Sequence, residues 1–180
     1  MKKVKEVTKL ETPIFTVVEK EFKQVANFKP VGLNCPDWVM VVLLDRKGKS
    51  LFVKQSRWGE ETQTVEFPCG TVEVGEQPEY AAVRELKEET GIELDVSKLT
   101  LHYSFNPNPS MFKNRMRVYS AIVDDLEDLF RKRGSTKLDA NEDCEAFVED
   151  LREERDELVW HAMGLIGYRL ACRLQKYMIL

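Results

Sequence analysis

Apolar and polar positions along the chain fall into blocks with two different periods. Trp38–Asp45 (WVMVVLLD) is a nearly continuous apolar run, which predicts a strand buried on both faces. Asp45–Lys49 (DRKGK) contains Gly48 and reads as a hairpin turn, with Ser50–Gln55 (SLFVKQ) as the returning strand. Upstream, between Ile14 and Val31, the stretch IFTVVEKEF is apolar-rich and β-branched and predicts an early strand. Its partner lies in the same chain or, through strand exchange, in a second subunit. Between Gly70 and Ile92 the period lengthens to three and four. There Pro78 suits a first helical turn, Ala82, Val83 and Leu86 supply an inward stripe, and Gly91 is placed to end the helix. Ile92–His102 predicts a loop and a strand, and a second strand follows over Arg115–Val123. Asp124–Asp143 is charged and short of apolar residues, and its centre, RKRGSTKLDANED, predicts a mobile excursion. Cys144–Val148 predicts a last strand. After the charged LREERDE, residues Val159, Ala162, Met163, Ile166, Leu170 and Leu174 recur at helical steps.

Composition narrows the class. At 180 residues and 43% hydrophobic content the chain is long enough for one domain, 1–180, with a real core. A net charge of −4 lacks the basic footprint of a nucleic-acid binder. Cys35, Cys69, Cys144 and Cys172 are scattered without C-x-x-C spacing, as expected of free thiols in a reducing compartment. The N-terminal MKKVKEVTKLETP lacks the apolar core of a signal peptide, and no apolar run approaches the roughly 20 residues of a membrane span. The expectation is a cytoplasmic protein with no membrane and no nucleic-acid partner. His102 and His161 read as structural.

The candidate chemistry lies in GTVEVGEQPEYAAVRELKEETGI, residues 70–92, which contains six glutamates. Glu85, Glu88 and Glu89 share one helical face, because neighbours on a helix stand three and four residues apart. Such a cluster is either a solvated acidic face or a platform for a hard divalent cation, which prefers clustered oxygens. Arg84 stands beside it, able to brace a carboxylate.

This stretch resembles the signature of the Nudix hydrolases at every defined position. That signature runs glycine, five residues, glutamate, seven residues, then Arg-Glu-apolar-any-Glu-Glu-any-Gly-apolar. Gly70, Glu76, Arg84, Glu85, Leu86, Glu88, Glu89, Gly91 and Ile92 hold those places. Outside the box, Gln55 and Arg57 resemble the Gln-x-Arg of members that cleave nucleoside diphosphate sugars, and Glu66, Pro68 and Gly70 resemble their Glu-x-Pro-x-Gly. Pro107 lies where ADP-ribose-type members carry a proline, although Asn-Pro-Asn-Pro departs from the usual Ser-Pro-Gly followed by glutamate.

The resemblance implies an α/β fold: an α/β/α sandwich around a mixed sheet, with the box helix on one side and the C-terminal helix on the other. It implies Mg²⁺ (Mn²⁺ as a substitute) on Glu85, Glu89, Glu88 and the backbone carbonyl of Cys69. Arg84 would orient a carboxylate such as Glu73 or Glu76. Glu142, with Asp143 second, would be the further carboxylate that the excursion brings to the metal. Glu142, Glu88 or Glu89 would take the proton of the attacking water. Arg57, Glu66, Gln55 and Pro107 would meet the substrate, with ADP-ribose leading. Arg57 could instead pair with Glu60 or Glu61, Glu66 could brace the loop, and Trp58 could stack on a base or lie as a surface hydrophobe. Asn114, Arg115 and Arg117 add donors that could meet phosphate, and Arg117 could equally be a salt-bridged strand residue. Other nucleoside diphosphate derivatives, or a non-catalytic nucleotide sensor, are the alternatives. A homodimer joined through residues 1–36 is also expected.

Overall fold

The computed structural model describes residues 1–25, 27–59, 61–138, 143–151 and 162–178. Strands β1 (Lys3–Glu11), β2 (Thr16–Phe22) and β3 (Val31–Asn34) form an antiparallel three-stranded sheet in the order β1-β2-β3. The early strand thus finds its partners in its own chain. Strand β1 escapes the sequence reading because charged residues break up the apolar positions of KVKEVTKLE, and all of it but Val7 is exposed.

The second sheet is built on β4 (Trp38–Asp45). Around it lie β5 (Lys49–Arg57), β6 (Thr62–Glu66), β7 (Cys69–Thr71), β8 (Thr100–Phe105), β9 (Met116–Val123) and β10 (Cys144–Asp150). The order is β10-β5-β4-β9-β8, with β6 on β5 and β7 on β4. Pairing of β4 with β9 is parallel and the rest is antiparallel, so the sheet is mixed.

Alternation along β4 explains its unbroken apolar run. Val39, Val41 and Leu43 face the core that holds helix α1 (Pro78–Thr90), through Ala81, Ala82 and Leu86. Met40, Val42 and Leu44 face the opposite core, which holds helix α3 (Ala162–Met178), through Leu170 and Ala171. A period-2 element covered on both faces has no polar side to show. On α3, a Cβ on Gly167 would stand 2.6 Å from the ring of Phe67 and 2.8 Å from Met40 Sδ, so only glycine allows this approach of helix to sheet. The result is the expected α/β/α arrangement.

One expectation needs correction, and one helix was not foreseen. The inward stripe of α1 uses Ala81 with Ala82 and Leu86, while Val83 is only partly buried. The helix not foreseen, α2 (Leu126–Arg131), precedes the expected excursion, and its N-cap Asp125 accepts the Asp128 N–H at 3.0 Å. Its Leu126, Leu129 and Phe130, at helical spacing, pack into the α1-side core. Among the described residues no helix is long and apolar enough to cross a membrane, and the four cysteines are free thiols.

Candidate active site

The box begins as strand β7 and becomes α1, with Pro78 in the first turn and Gly91 ending the helix at φ 73°. A left-handed residue there costs glycine nothing. The helix end is also held from outside. Gly134 N donates to Gly91 O at 2.9 Å and Lys137 N to Glu88 O at 2.8 Å. A Cβ on Gly91 would collide with the Gly134 carbonyl.

Arg84 lies at the centre of the box. Its Nε and Nη2 grip Glu76 at 3.0 and 2.9 Å, and its Nη1 donates to Glu85 and Glu88, both at 2.9 Å. Nη2 also donates to the Thr71 carbonyl at 2.8 Å. All five N–H groups of the guanidinium are therefore engaged. The hydrogen bond from Arg84 holds Glu76 below the usual carboxylate range, while the Glu76 bond chiefly raises Arg84. Of the two carboxylates expected to be oriented, Arg84 takes Glu76, and Glu73 enters through its backbone, whose N–H donates to the Glu76 carboxylate and whose carbonyl accepts the Glu76 N–H.

Glu89 points elsewhere. Only 7% exposed, it accepts the Cys69 N–H at 3.0 Å. Burial, then the Glu85 charge, pushes its carboxyl well above the ordinary range. Gly70 packs so closely on Glu85 that a Cβ would fall inside its carboxylate.

The three box glutamates share a face, but among the described residues no three acidic, histidine or cysteine side chains stand together as a metal-holding group. Arg84 occupies the ground between Glu85 and Glu88, and Glu89 is turned to β7. The residues nonetheless fit a divalent cation. Their donors are all hard oxygens, and a buried carboxylate raised by its neighbour's negative charge is what such an ion would relieve. Glu142 and His161 lie outside the described residues. Asp143 accepts from Ser56 N at 2.9 Å and from Ser56 Oγ at 2.6 Å.

A cavity of about 520 Å³ opens against the box at Cys69, Gly70 and Thr71. Its far walls carry Trp38, Met116 and Met163, and the β5–β6 hairpin supplies Arg57, Trp58, Thr62, Thr64 and Glu66. In that hairpin Arg57 opposes Thr62, Gln55 opposes Thr64 and Val53 opposes Glu66, so all six share one sheet face. Arg57 lies back along this face to Glu66, with Nε to Oε1 at 2.6 Å and Nη2 to Oε2 at 2.5 Å. Its partner among the described residues is thus Glu66 and not Glu61, while Glu60 lies outside the described residues. Burial opposes the Arg57 charge, but the Glu66 hydrogen bonds together with the charges of Cys69, Glu66 and Glu89 outweigh it and hold the guanidinium's pKa raised. Trp58 is 79% exposed at the mouth.

Gln55 and Pro107 do not line this cavity. Gln55 Nε2 is buried and, among the described residues, has no partner. Pro107 sits in a turn closed by Asn106 Nδ2 to Phe112 O at 2.7 Å. Arg117 pairs with Asp37 at 2.8 Å, the salt-bridged of its two readings, and His102 Nε2 bonds Ser120 Oγ at 2.8 Å, structural as expected. Sequence reasoning missed Thr64, Trp38, Met116 and Met163. Only Thr64 left a signal, standing two residues from Glu66 on the same strand face.

Comparison with known proteins places this geometry. The family model described as NUDIX domain matches residues 36–162. An ADP-ribose pyrophosphatase of Bacillus subtilis is 33% identical over 147 residues, covering 78% of this chain and 77% of that protein. An ADP-ribose pyrophosphatase of Saccharomyces cerevisiae is 30% identical over 77% of this chain, which spans 59% of that longer protein. A crystal structure described as an ADP compounds hydrolase superposes with a TM-score of 0.74 over 98% of this chain and 94% of that one. At 22% identity, that match speaks for the fold alone. The chain belongs to the Nudix family and is a hydrolase acting on pyrophosphate bonds. Nudix hydrolases generally use divalent metal ions.

Proposed function

We propose that the protein hydrolyses the diphosphate linkage of a nucleoside diphosphate sugar, with ADP-ribose as leading substrate and AMP and ribose 5-phosphate as products. The observation that carries this reading is the cavity itself. It joins an arginine, two tryptophans and the box in one volume, within the roughly 300–1,000 Å³ of small-molecule sites. The names of the Bacillus and yeast relatives support the substrate class.

In this reading Arg57 meets the diphosphate, and Trp58 offers an exposed face on which a base can stack. Glu85, Glu88, Glu89 and the Cys69 carbonyl would hold Mg²⁺, with Mn²⁺ as substitute. When bound, the ion neutralises phosphate charge and makes water a better nucleophile. Water attacks a phosphorus, the P–O–P bond breaks, and each half leaves as a monophosphate. Glu88 or Glu89 accepts the water's proton, or Glu142 does so. Arg84, all of its donors committed to the box, orients Glu76, Glu85 and Glu88 and does not touch substrate. Pro107 and Gln55 act through loop and strand shape.

Residues 1–180 are read as one Nudix domain and the active form as a homodimer. Val4, Leu10 and Val31 on the N-terminal strands, with Ile14 and Phe28 in the turns, leave large apolar side chains exposed on that sheet, which supports a contact through residues 1–36. Sedimentation at micromolar concentration giving the 20.9 kDa of a single chain would remove the dimer. The free thiols support a cytoplasmic setting.

The test of function is phosphate release with Mg²⁺, after phosphatase treatment of the products. The panel holds ADP-ribose, ADP-glucose, GDP-mannose, UDP-glucose, nucleoside triphosphates, Ap4A and coenzyme A. Turnover confined to the diphosphate sugars supports the reading. Preference for triphosphates, Ap4A or coenzyme A replaces the substrate class, and silence from folded, metal-loaded protein moves the weight to a nucleotide sensor.

A further inference from the structure

Arg57 and Glu66 form an asymmetric pair on the cavity wall. The Glu66 side chain is 1% exposed and that of Arg57 is 40% exposed. Glu66 is also filled: besides the two Arg57 bonds it accepts Thr64 Oγ1 at 2.5 Å and lies 3.5 Å from the Cys69 thiol. A carboxylate has about four acceptor sites, so none remains for a substrate donor. Arg57 is the reverse. Its Nε and Nη2 are spent on Glu66, with Nη2 also 3.6 Å from Cys69 Sγ, and among the described residues its Nη1 hydrogens have no acceptor. The pair is thus closed on its buried side and open on its cavity side.

We propose that Glu66 is a positioning residue, clamping the Nε–Nη2 edge of Arg57 so that the Nη1 end is presented to a substrate phosphate. This rests on reading the cavity as the diphosphate site, and it takes Glu66 away from the nucleobase. A bidentate grip fixes both the plane and the roll of a guanidinium, which a single bond or a mobile ammonium cannot do. Thr64, opposite Gln55 on the same face, holds the Glu66 carboxylate in turn. A plain staple of the hairpin would tie the two strands equally well with its arginine saturated and away from the cavity, as Arg84 is saturated in the box.

The test is ADP affinity by titration calorimetry, with and without Mg²⁺, so that turnover is not needed for the readout. Wild type is compared with Arg57→Ala, Arg57→Lys, Glu66→Gln and the Arg57→Ala/Glu66→Gln double variant. Circular dichroism checks the fold of each. The expected result is a loss of about tenfold to a hundredfold for each single variant, with the double no worse than the weaker single. Arg57→Lys should lose as much as Arg57→Ala, because charge without orientation is not enough. Wild-type affinity in Glu66→Gln, or losses that multiply in the double variant, would overturn the proposal. If Glu66→Gln fails to fold, Arg57→Lys decides, and near-wild-type affinity there overturns it. Absence of ADP binding in wild type overturns it as well. ADP binding with this mutational pattern but no turnover of any nucleotide sugar would sink the functional reading and leave the positioning role standing.

Discussion

Two arginines bound the site, and they spend their donors differently. Arg84, in the box, gives all five N–H groups to Glu76, Glu85, Glu88 and the Thr71 carbonyl. Arg57, on the hairpin, lines the cavity and, among the described residues, has no acceptor for its Nη1 hydrogens. The carboxylates around them differ in step. Those of the box are partly exposed and arranged around the arginine, whereas Glu66 is buried and arranged behind it. One edge of the cavity is thus an internally satisfied scaffold for charge, and the other is a half-satisfied hand. The same residue type places carboxylates in one case and, in the role proposed for Arg57, meets an anion in the other.

Breaking the box edge should have the largest effect. Glu89→Gln is expected to lower turnover by roughly a hundredfold to ten-thousandfold while leaving the fold intact. Without divalent cation the variant should melt higher than wild type at neutral pH, since a buried, poorly compensated carboxylate is replaced by a neutral amide. Steady-state kinetics and calorimetric melting check both halves, and a variant with wild-type turnover would remove Glu89 from the chemistry. Next comes Arg84→Lys. An ammonium cannot satisfy Glu76, Glu85, Glu88 and Thr71 together, so kcat should fall about tenfold to a hundredfold with KM little changed. A loss carried by KM instead would place Arg84 on the substrate and erase the contrast with Arg57.

The hairpin edge predicts the opposite split. Trp58→Ala should raise KM by about tenfold through lost stacking, with kcat and melting temperature unchanged because the ring is 79% exposed. Unchanged KM would make Trp58 a surface hydrophobe. The smallest effect belongs to Glu76→Gln, expected to lower the melting temperature by about 2 °C at pH 7. Its pKa is lowered in the fold by the Arg84 hydrogen bond, so its contribution is present above the ordinary value of 4.5 and is lost as pH falls through the depressed value. Wild type and variant should therefore draw together as pH falls below 4.5 and converge once it is below the depressed value. A difference that persists there would assign the effect to packing.

How legible these regions were follows from the range of the interactions. Strand β4 was plain because burial on both faces leaves no polar position, and the box was plain because its residues interact within one helix and its preceding loop. Strand β1 was hidden by charge, and α2 by a charged stretch whose three apolar residues form one helical step. The partner of Arg57 was out of reach for another reason. Glu66 meets it only because the β5–β6 register puts both on one face, and register is set by a turn whose geometry composition does not reveal. Glutamates at helical spacing likewise told which face they share, but not that Arg84 would take two of them and a β7 amide the third.

The backbone bonds from Gly134 and Lys137 to Gly91 and Glu88 have a consequence for the order of folding. The last carbonyls of the box helix wait for residues that leave the ribosome well after the box itself. The helix can form early from local contacts, yet its end is finished only by a long-range loop closure. The box is therefore an early segment in sequence and a late one in assembly. A nascent chain released before Lys137 would carry every residue of the signature with the end of its helix still open to water.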